Sequence, residues 1–240
     1  MATLILVPGA MHTAWVWHRV IPLLEQANHH VLAPDLPGVG ENQSIAPHEA
    51  TLASWAKFLV DKASNALGPV VLVGHSRGGH VIGEAAEYAP EHVAGLIYVA
   101  AILAQPGQTA FEAMGTDVNN NAASLSPEGI VTISPDAAIP IFYNRCSPAD
   151  AAEAARRLCP EAIAPTVTPS SISTERWGRV PRAYVECSDD RSLPLERQRA
   201  MQAHAPCSPV FTLDADHSPF LSATVSLADS IIAATRRFAA

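Results

Sequence analysis

The chain has 240 residues, nearly half of them apolar, and a formal net charge of −8. That length suits a single α/β domain with a substantial core. It leaves no run of the ~20 apolar residues that span a bilayer and no basic cluster to meet nucleic acid or an anionic membrane surface.

The first apolar run begins almost at Met1, with no basic segment and no cleavable apolar stretch before it. A cytoplasmic protein without a signal peptide is expected. The four cysteines, Cys146, Cys159, Cys187 and Cys207, are widely spaced and match neither C-x-x-C nor a zinc-ligand spacing. They are expected to be reduced, mostly buried thiols, with no metal site.

Thr3-Leu4-Ile5-Leu6-Val7 is a continuous apolar run ended by Pro8-Gly9. Such a run reads as a parallel-sheet strand buried on both faces. The loop Pro8-Gly9-Ala10-Met11-His12 then lies at the carboxyl end of that strand, where open α/β sheets place ligands. Residues 15–28 have helical spacing, but Pro22 predicts a short turn and then a helix opening near it. Residues 30–34 read as a second strand. Residues 51–67 read as a helix with Leu52, Trp55, Ala56, Leu59, Val60 and Ala63 on one face.

Val70-Val71-Leu72-Val73 runs straight into Gly74-His75-Ser76-Arg77-Gly78, and a helically spaced apolar run follows from Val81. A Gly-x-Ser-x-Gly placed between a buried strand and a helix is a nucleophile elbow. Ser76 must project from a strained turn, and a Cβ at Gly74 or Gly78 would press on the neighbouring strand or helix. The helix dipole aims at the same point, where an oxyanion can be held.

Residues 93–100 read as another buried strand, after which the alternation breaks. Residues 104–178 hold no clear strand. They contain Asn119-Asn120-Asn121, scattered prolines and one well-signalled helix over 148–158. Ser147 is its expected N-cap, with Asp150 completing a capping box. This stretch is expected to fold as a small cap over the strand ends. Strands at 182–187 and 209–213 follow, with helices at 195–205 and 222–238. The pattern predicts about six strands in a mostly parallel sheet with helices on both faces.

A serine hydroxyl needs a base within hydrogen-bond reach, and the base needs an orienting carboxylate. On this architecture the chain order is Ser, then Asp or Glu, then His. His217 in Asp214-Ala215-Asp216-His217-Ser218 is the base this order selects. His75 is expected in the pocket wall and His12 in the first loop, holding it by a hydrogen bond. For the carboxylate, the loop Ser188-Asp189-Asp190-Arg191 offers two residues. Asp190 is favoured, because the turn before Pro194 can bring it back toward the last loop. Asp189 is expected to face solvent or cap the turn, and Asp216 to fix its own loop. The oxyanion donors are the amide of Arg77, after the nucleophile, and the amide of Ala10, in the first loop. The Arg77 side chain is expected to reach solvent or pair with an acid under the cap.

Leu6 to Trp15, the elbow, Phe142-Tyr143-Asn144-Arg145-Cys146-Ser147-Pro148, Val180 to Val185 and Asp216-His217 together resemble one branch of the α/β-hydrolases. That branch holds plant methyl esterases, hydroxynitrile lyases and bacterial esterase relatives. The likeness spans nearly the whole chain, cap included. It implies the triad Ser76, Asp190 and His217, the oxyanion donors Ala10 and Arg77, a pocket between elbow and cap, and no cofactor. Homodimers are common in this group.

The lyases of the branch carry Lys after the catalytic His, Thr in the first loop and Glu before the nucleophile. Here those places hold Ser218, Gly9 and His75. The methyl esterases usually carry Leu where this chain has Arg77. The three departures from the lyases favour hydrolysis of small carboxylic esters over a cofactor-free hydroxynitrile lyase, whereas Arg77 counts against the methyl esterases' particular substrates. A small-molecule receptor built on a hydrolase fold is a third reading. His12, Phe142 and Trp177 are the expected substrate contacts, with Phe111, Met114 and Ile141 as further apolar lining and Arg77 and Arg145 as contacts for a polar substrate.

Overall fold

The computed structural model describes residues 1–115 and 122–238; the asparagines at 119–121 lie outside them. In chain order come β1 (Thr3–Val7), α1 (Ile21–Gln26), β2 (His30–Leu32), α2 (Leu52–Ser64), β3 (Val70–His75), α3 (Gly78–Tyr88) and β4 (Gly95–Val99). The inserted stretch carries α4 (Ala110–Met114), β5 (Ala123–Leu125), β6 (Ile130–Ile133), α5 (Pro135–Phe142), α6 (Pro148–Arg156), β7 (Glu161–Ala162) and α7 (Ala164–Val167). The chain then continues through β8 (Arg182–Cys187), α8 (Leu195–His204), β9 (Val210–Leu213), α9 (Pro219–Ser222) and α10 (Thr224–Phe238).

Six strands form one sheet in the order β2-β1-β3-β4-β8-β9. Every pairing in it is parallel. The period-2 geometry of a strand explains why its sequences are apolar throughout. Leu4, Leu6, Val71, Val73, Ile97 and Val99 pack with Leu24 of α1 and Leu227 and Ile231 of α10. The alternate residues Ile5, Val7, Leu72, Leu96 and Tyr98 pack on the other side with Trp55 and Leu59 of α2 and Val81, Ile82 and Ala85 of α3.

The elbow sits where three backbone segments crowd. Ser76 has a left-handed backbone (φ 51°). Its carbonyl accepts from the amides of Gly79 (3.0 Å) and Ile102 (2.9 Å), and its amide donates to Val99 O (3.2 Å). A Cβ on Gly74 would lie 2.7 Å from the carbonyl carbon of Gly78, and one on Gly78 would lie 2.7 Å from Val7 O. Both neighbours are backbone and cannot swing aside.

The insertion departs from the expectation of no strands. β5, β6 and β7 form a three-stranded antiparallel sheet. Their two to four residues each are too few to show alternation; β5 and β6 are half-buried or exposed, and only β7 is buried. α5 was also unforeseen: Ser134 caps it, accepting from Ala137 N at 3.3 Å, and Pro140 sits inside it. Helix α6 matches its expected start, with Ser147 Oγ accepting from Asp150 N at 3.1 Å. The reciprocal half of the expected capping box is absent, because the Asp150 carboxylate is drawn instead to the guanidinium of Arg19. The last expected helix is α10, opening at Thr224, and the short α9, which was not expected, precedes it.

Two buried glutamates of α3 tie the end of the insertion down. Glu84 accepts from Ser171 N (3.1 Å), and Glu87 accepts from Ser173 N (2.7 Å) and Trp177 N (3.1 Å). All four cysteines are free; Cys187 is buried and the other three are half-buried. Among the described residues no helix is long and apolar enough to cross a membrane.

Gly74→Ala should cost about 1–3 kcal/mol of stability through overpacking against fixed backbone, read from urea unfolding. An unchanged midpoint would contradict the crowding described here.

Candidate active site

Strands β3, β8 and β9 are parallel, so their carboxyl ends lie along one edge of the sheet. Ser76 follows β3, Asp190 follows β8 and His217 follows β9. His217 Nε2 lies 3.0 Å from Ser76 Oγ, and His217 Nδ1 lies 2.7 Å from Asp190 Oδ2. A carboxylate can only accept, so Nδ1 carries the proton and Nε2 is left to accept from the serine. Asp190 is held in turn. Its Oδ1 accepts from the amides of Ser192 (2.8 Å) and Leu193 (2.7 Å), and Gln198 Nε2 approaches Oδ2 at 3.4 Å. Asp190 and His217 are buried, whereas Ser76 is only partly so.

The last loop is braced from two sides. His75 Nε2 donates to the carbonyl of His217 at 2.7 Å. Asp216 accepts from Arg145 N (2.7 Å), Ser218 N (3.0 Å) and Ser222 Oγ (2.7 Å). It is therefore the loop-fixing residue its sequence position suggested. Asp189 faces outward, 40% exposed, and meets the side chain of Asn144 (3.1 Å) and the guanidinium of Arg145 (3.5 Å).

In the first loop His12 Nδ1 donates to Ala10 O (2.7 Å), and Tyr143 Oη donates to His12 Nε2 (2.8 Å). The carbonyl can only accept, so Nδ1 carries a proton; burial keeps the ring neutral near pH 7, which leaves Nε2 to accept from Tyr143. Burial pushes its pKa down to about 4, and the nearby His217 and Arg77 add to the shift. Burial likewise holds His75 well below the ordinary imidazole range, with His217 and His12 contributing. Among the described residues the amides of Ala10 and Arg77 donate to no protein acceptor. Arg77 is buried, and its side chain pairs with Glu161 of the insertion at 3.0 Å.

Above Ser76 lies a cavity of about 710 Å³ whose lining is mostly apolar. Phe111, Met114, Ile141 and Phe142 line it with His12, as expected, and β6 adds Val131 and Ile133. Trp177 does not reach it. Its Nε1 donates to Tyr98 Oη (3.0 Å), and its ring lies under the Arg182 guanidinium at 3.9 Å, packed beside α3. The expectation that it contacts substrate is corrected. Arg145 is also away from the cavity, bridging Asp189 and Asp214 at the surface. His75 stands behind His217, outside the lining. Glu161 and Tyr143 were missed; Glu161 stands in a two-residue strand with nothing local to distinguish it.

The sequence profile of the alpha/beta hydrolase family matches residues 4–229. The chain belongs to that family. Methylesterase 7 of Arabidopsis thaliana is 32% identical to this chain over 236 residues, covering 91% of this chain and 90% of its own. Pyrethroid hydrolase of Sphingobium wenxiniae is 30% identical over 244 residues, covering 95% of this chain and 85% of its own. The solved polyneuridine aldehyde esterase superposes with a TM-score of 0.86 at 26% identity, covering 98% of this chain and 99% of that one. The chain thus lies in the branch of plant methylesterases, polyneuridine aldehyde esterase and pyrethroid hydrolase.

An unfolded chain takes up protons on its imidazoles near pH 6.5, whereas the folded chain keeps His12 neutral down to about 4. Protons in that window bind the unfolded state more, so stability should fall as pH drops from about 6.5 to about 4. Urea unfolding at a series of pH values checks this, and His12→Gln should flatten the slope.

Proposed function

We propose that the protein is a serine esterase that hydrolyses carboxylic esters through an acyl-enzyme on Ser76. The observation that carries the reading is the unbroken hydrogen-bonded line Ser76–His217–Asp190 opening onto an apolar cavity.

Ser76 Oγ attacks the ester carbonyl while His217 Nε2 takes its proton. Asp190 holds the imidazole in the required tautomer and stabilises its charged form. The carbonyl oxygen becomes an oxyanion, met by the unused amides of Ala10 and Arg77. His217 returns the proton to the departing alcohol. Water then attacks the acyl-enzyme with His217 again as base, which frees the acid and Ser76.

The apolar lining favours esters with a hydrophobic body, and a cavity of about 710 Å³ leaves room for more than an acetyl group. The names of its relatives, methylesterase and pyrethroid hydrolase, agree with ester substrates. Two features oppose lyase chemistry. No cation follows His217, since that place is Ser218. A side chain at Gly9 would put its Cβ 2.7 Å from His75 Nδ1 and 2.8 Å from Ser76 Cβ, so a threonine there does not fit beside His75.

Stopped-flow release of p-nitrophenol from its acetate ester tests the reading. Wild type should give a burst equal to enzyme concentration, and Ser76→Ala should give none; an equal rate in both would overturn the proposal. Asp190→Asn should lower kcat on the order of 10³-fold or more, because the imidazole loses its enforced tautomer.

A further inference from the structure

A guanidinium keeps its charge at any ordinary pH, so burying one demands compensation. The Arg77 and Glu161 side chains are only 4% and 2% exposed. Arg77 Nε and Nη2 donate to the two carboxylate oxygens of Glu161 at 3.3 and 3.0 Å. The guanidinium lies over the Trp55 ring at 4.4 Å. A buried ion pair is by itself weak evidence of stabilisation. What its remaining bonds hold is more informative.

Arg77 Nη2 also donates to Gly9 O at 3.1 Å, and Glu161 Oε2 accepts from Met11 N at 2.8 Å. The peptide groups on both sides of Ala10 are therefore gripped by one ion pair. The Gly9 carbonyl and the Ala10 N–H belong to a single planar unit and point in opposite directions. Fixing the oxygen fixes where the N–H aims. The other bonds of the loop agree. Ala10 O is held by His12 Nδ1 (2.7 Å) and Met11 O by Cys159 N (2.9 Å), while Ala10 N is left without a protein acceptor among the described residues.

We infer that the Arg77 side chain, locked by Glu161, is a positioning device that aims the Ala10 amide at the oxyanion. Arg77 then serves the hole twice, through its own backbone amide and through the orientation of its counterpart. Glu161 sits on β7, so the insertion's small sheet is part of the same device. The inference rests on the esterase reading above.

The double variant Arg77→Met/Glu161→Leu removes both charges together and leaves no unpaired ion in the interior. Three quantities are measured with p-nitrophenyl acetate and phenyl trifluoromethyl ketone: kcat per folded enzyme, KM, and the inhibition constant of the ketone, which forms a tetrahedral oxyanion on serine. The inference predicts a melting temperature near that of wild type and kcat lower by about 10- to 100-fold. It also predicts KM within about threefold and ketone inhibition weakened by the same factor as kcat. Arg77→Lys keeps the charge pairing but loses the fork, and should fall between the two. If the double variant does not fold, the lysine variant decides by the same readouts. A folded variant with wild-type kcat and ketone affinity would overturn the inference. A wild type lacking the Ser76-dependent burst would overturn the esterase reading and this inference with it, whereas a normal burst with unchanged variants would overturn the inference alone.

Discussion

Ser76 holds a left-handed backbone with φ 51°, a conformation that costs a residue with a side chain about 1–2 kcal/mol. That cost is tolerated because the turn is over-determined. Val99, Gly79 and Ile102 hold its two polar backbone groups, and Gly74 and Gly78 let β1, β3 and α3 meet at backbone contact. The rest of the site depends on this turn. It sets the hydroxyl above the sheet edge, where loops after β8 and β9 deliver Asp190 and His217. It also leaves the Arg77 amide unspent at the start of α3.

Much of this was legible in the sequence, for identifiable reasons. Val70 to Val73 followed by Gly-x-Ser-x-Gly admits few backbones, because the glycines and the buried strand constrain the turn together. The chain order Ser, Asp, His then follows from parallel strands that place successive loops on one edge. The choice of Asp190 over Asp189 also agrees with the structure. Position 190 faces inward to His217, while 189 turns outward to Asn144 and Arg145.

The insertion was the least legible part. Its strands are two to four residues long and are stabilised by pairing with each other, not by burial of an alternating face. A pairing such as Val131 with Glu161 leaves no local signature in either segment. Glu161 accordingly carried no signal, although it is the buried partner that Arg77 requires. Trp177 was misplaced for a related reason. An aromatic residue near the end of a cap can face either the cavity or the scaffold, and here Tyr98 Oη and Arg182 draw it to the scaffold. Hydrophobicity is indifferent between those fates; the hydrogen-bond partner decides.

The central claim is that this line of side chains makes Ser76 a nucleophile. Acid quench of the enzyme within its first turnover of p-nitrophenyl acetate, followed by peptide mass spectrometry, tests it most directly. The account predicts a single acetyl group on the peptide carrying Ser76, absent from Ser76→Ala and from His217→Ala. Acetylation elsewhere with Ser76 unmodified during active turnover would contradict it.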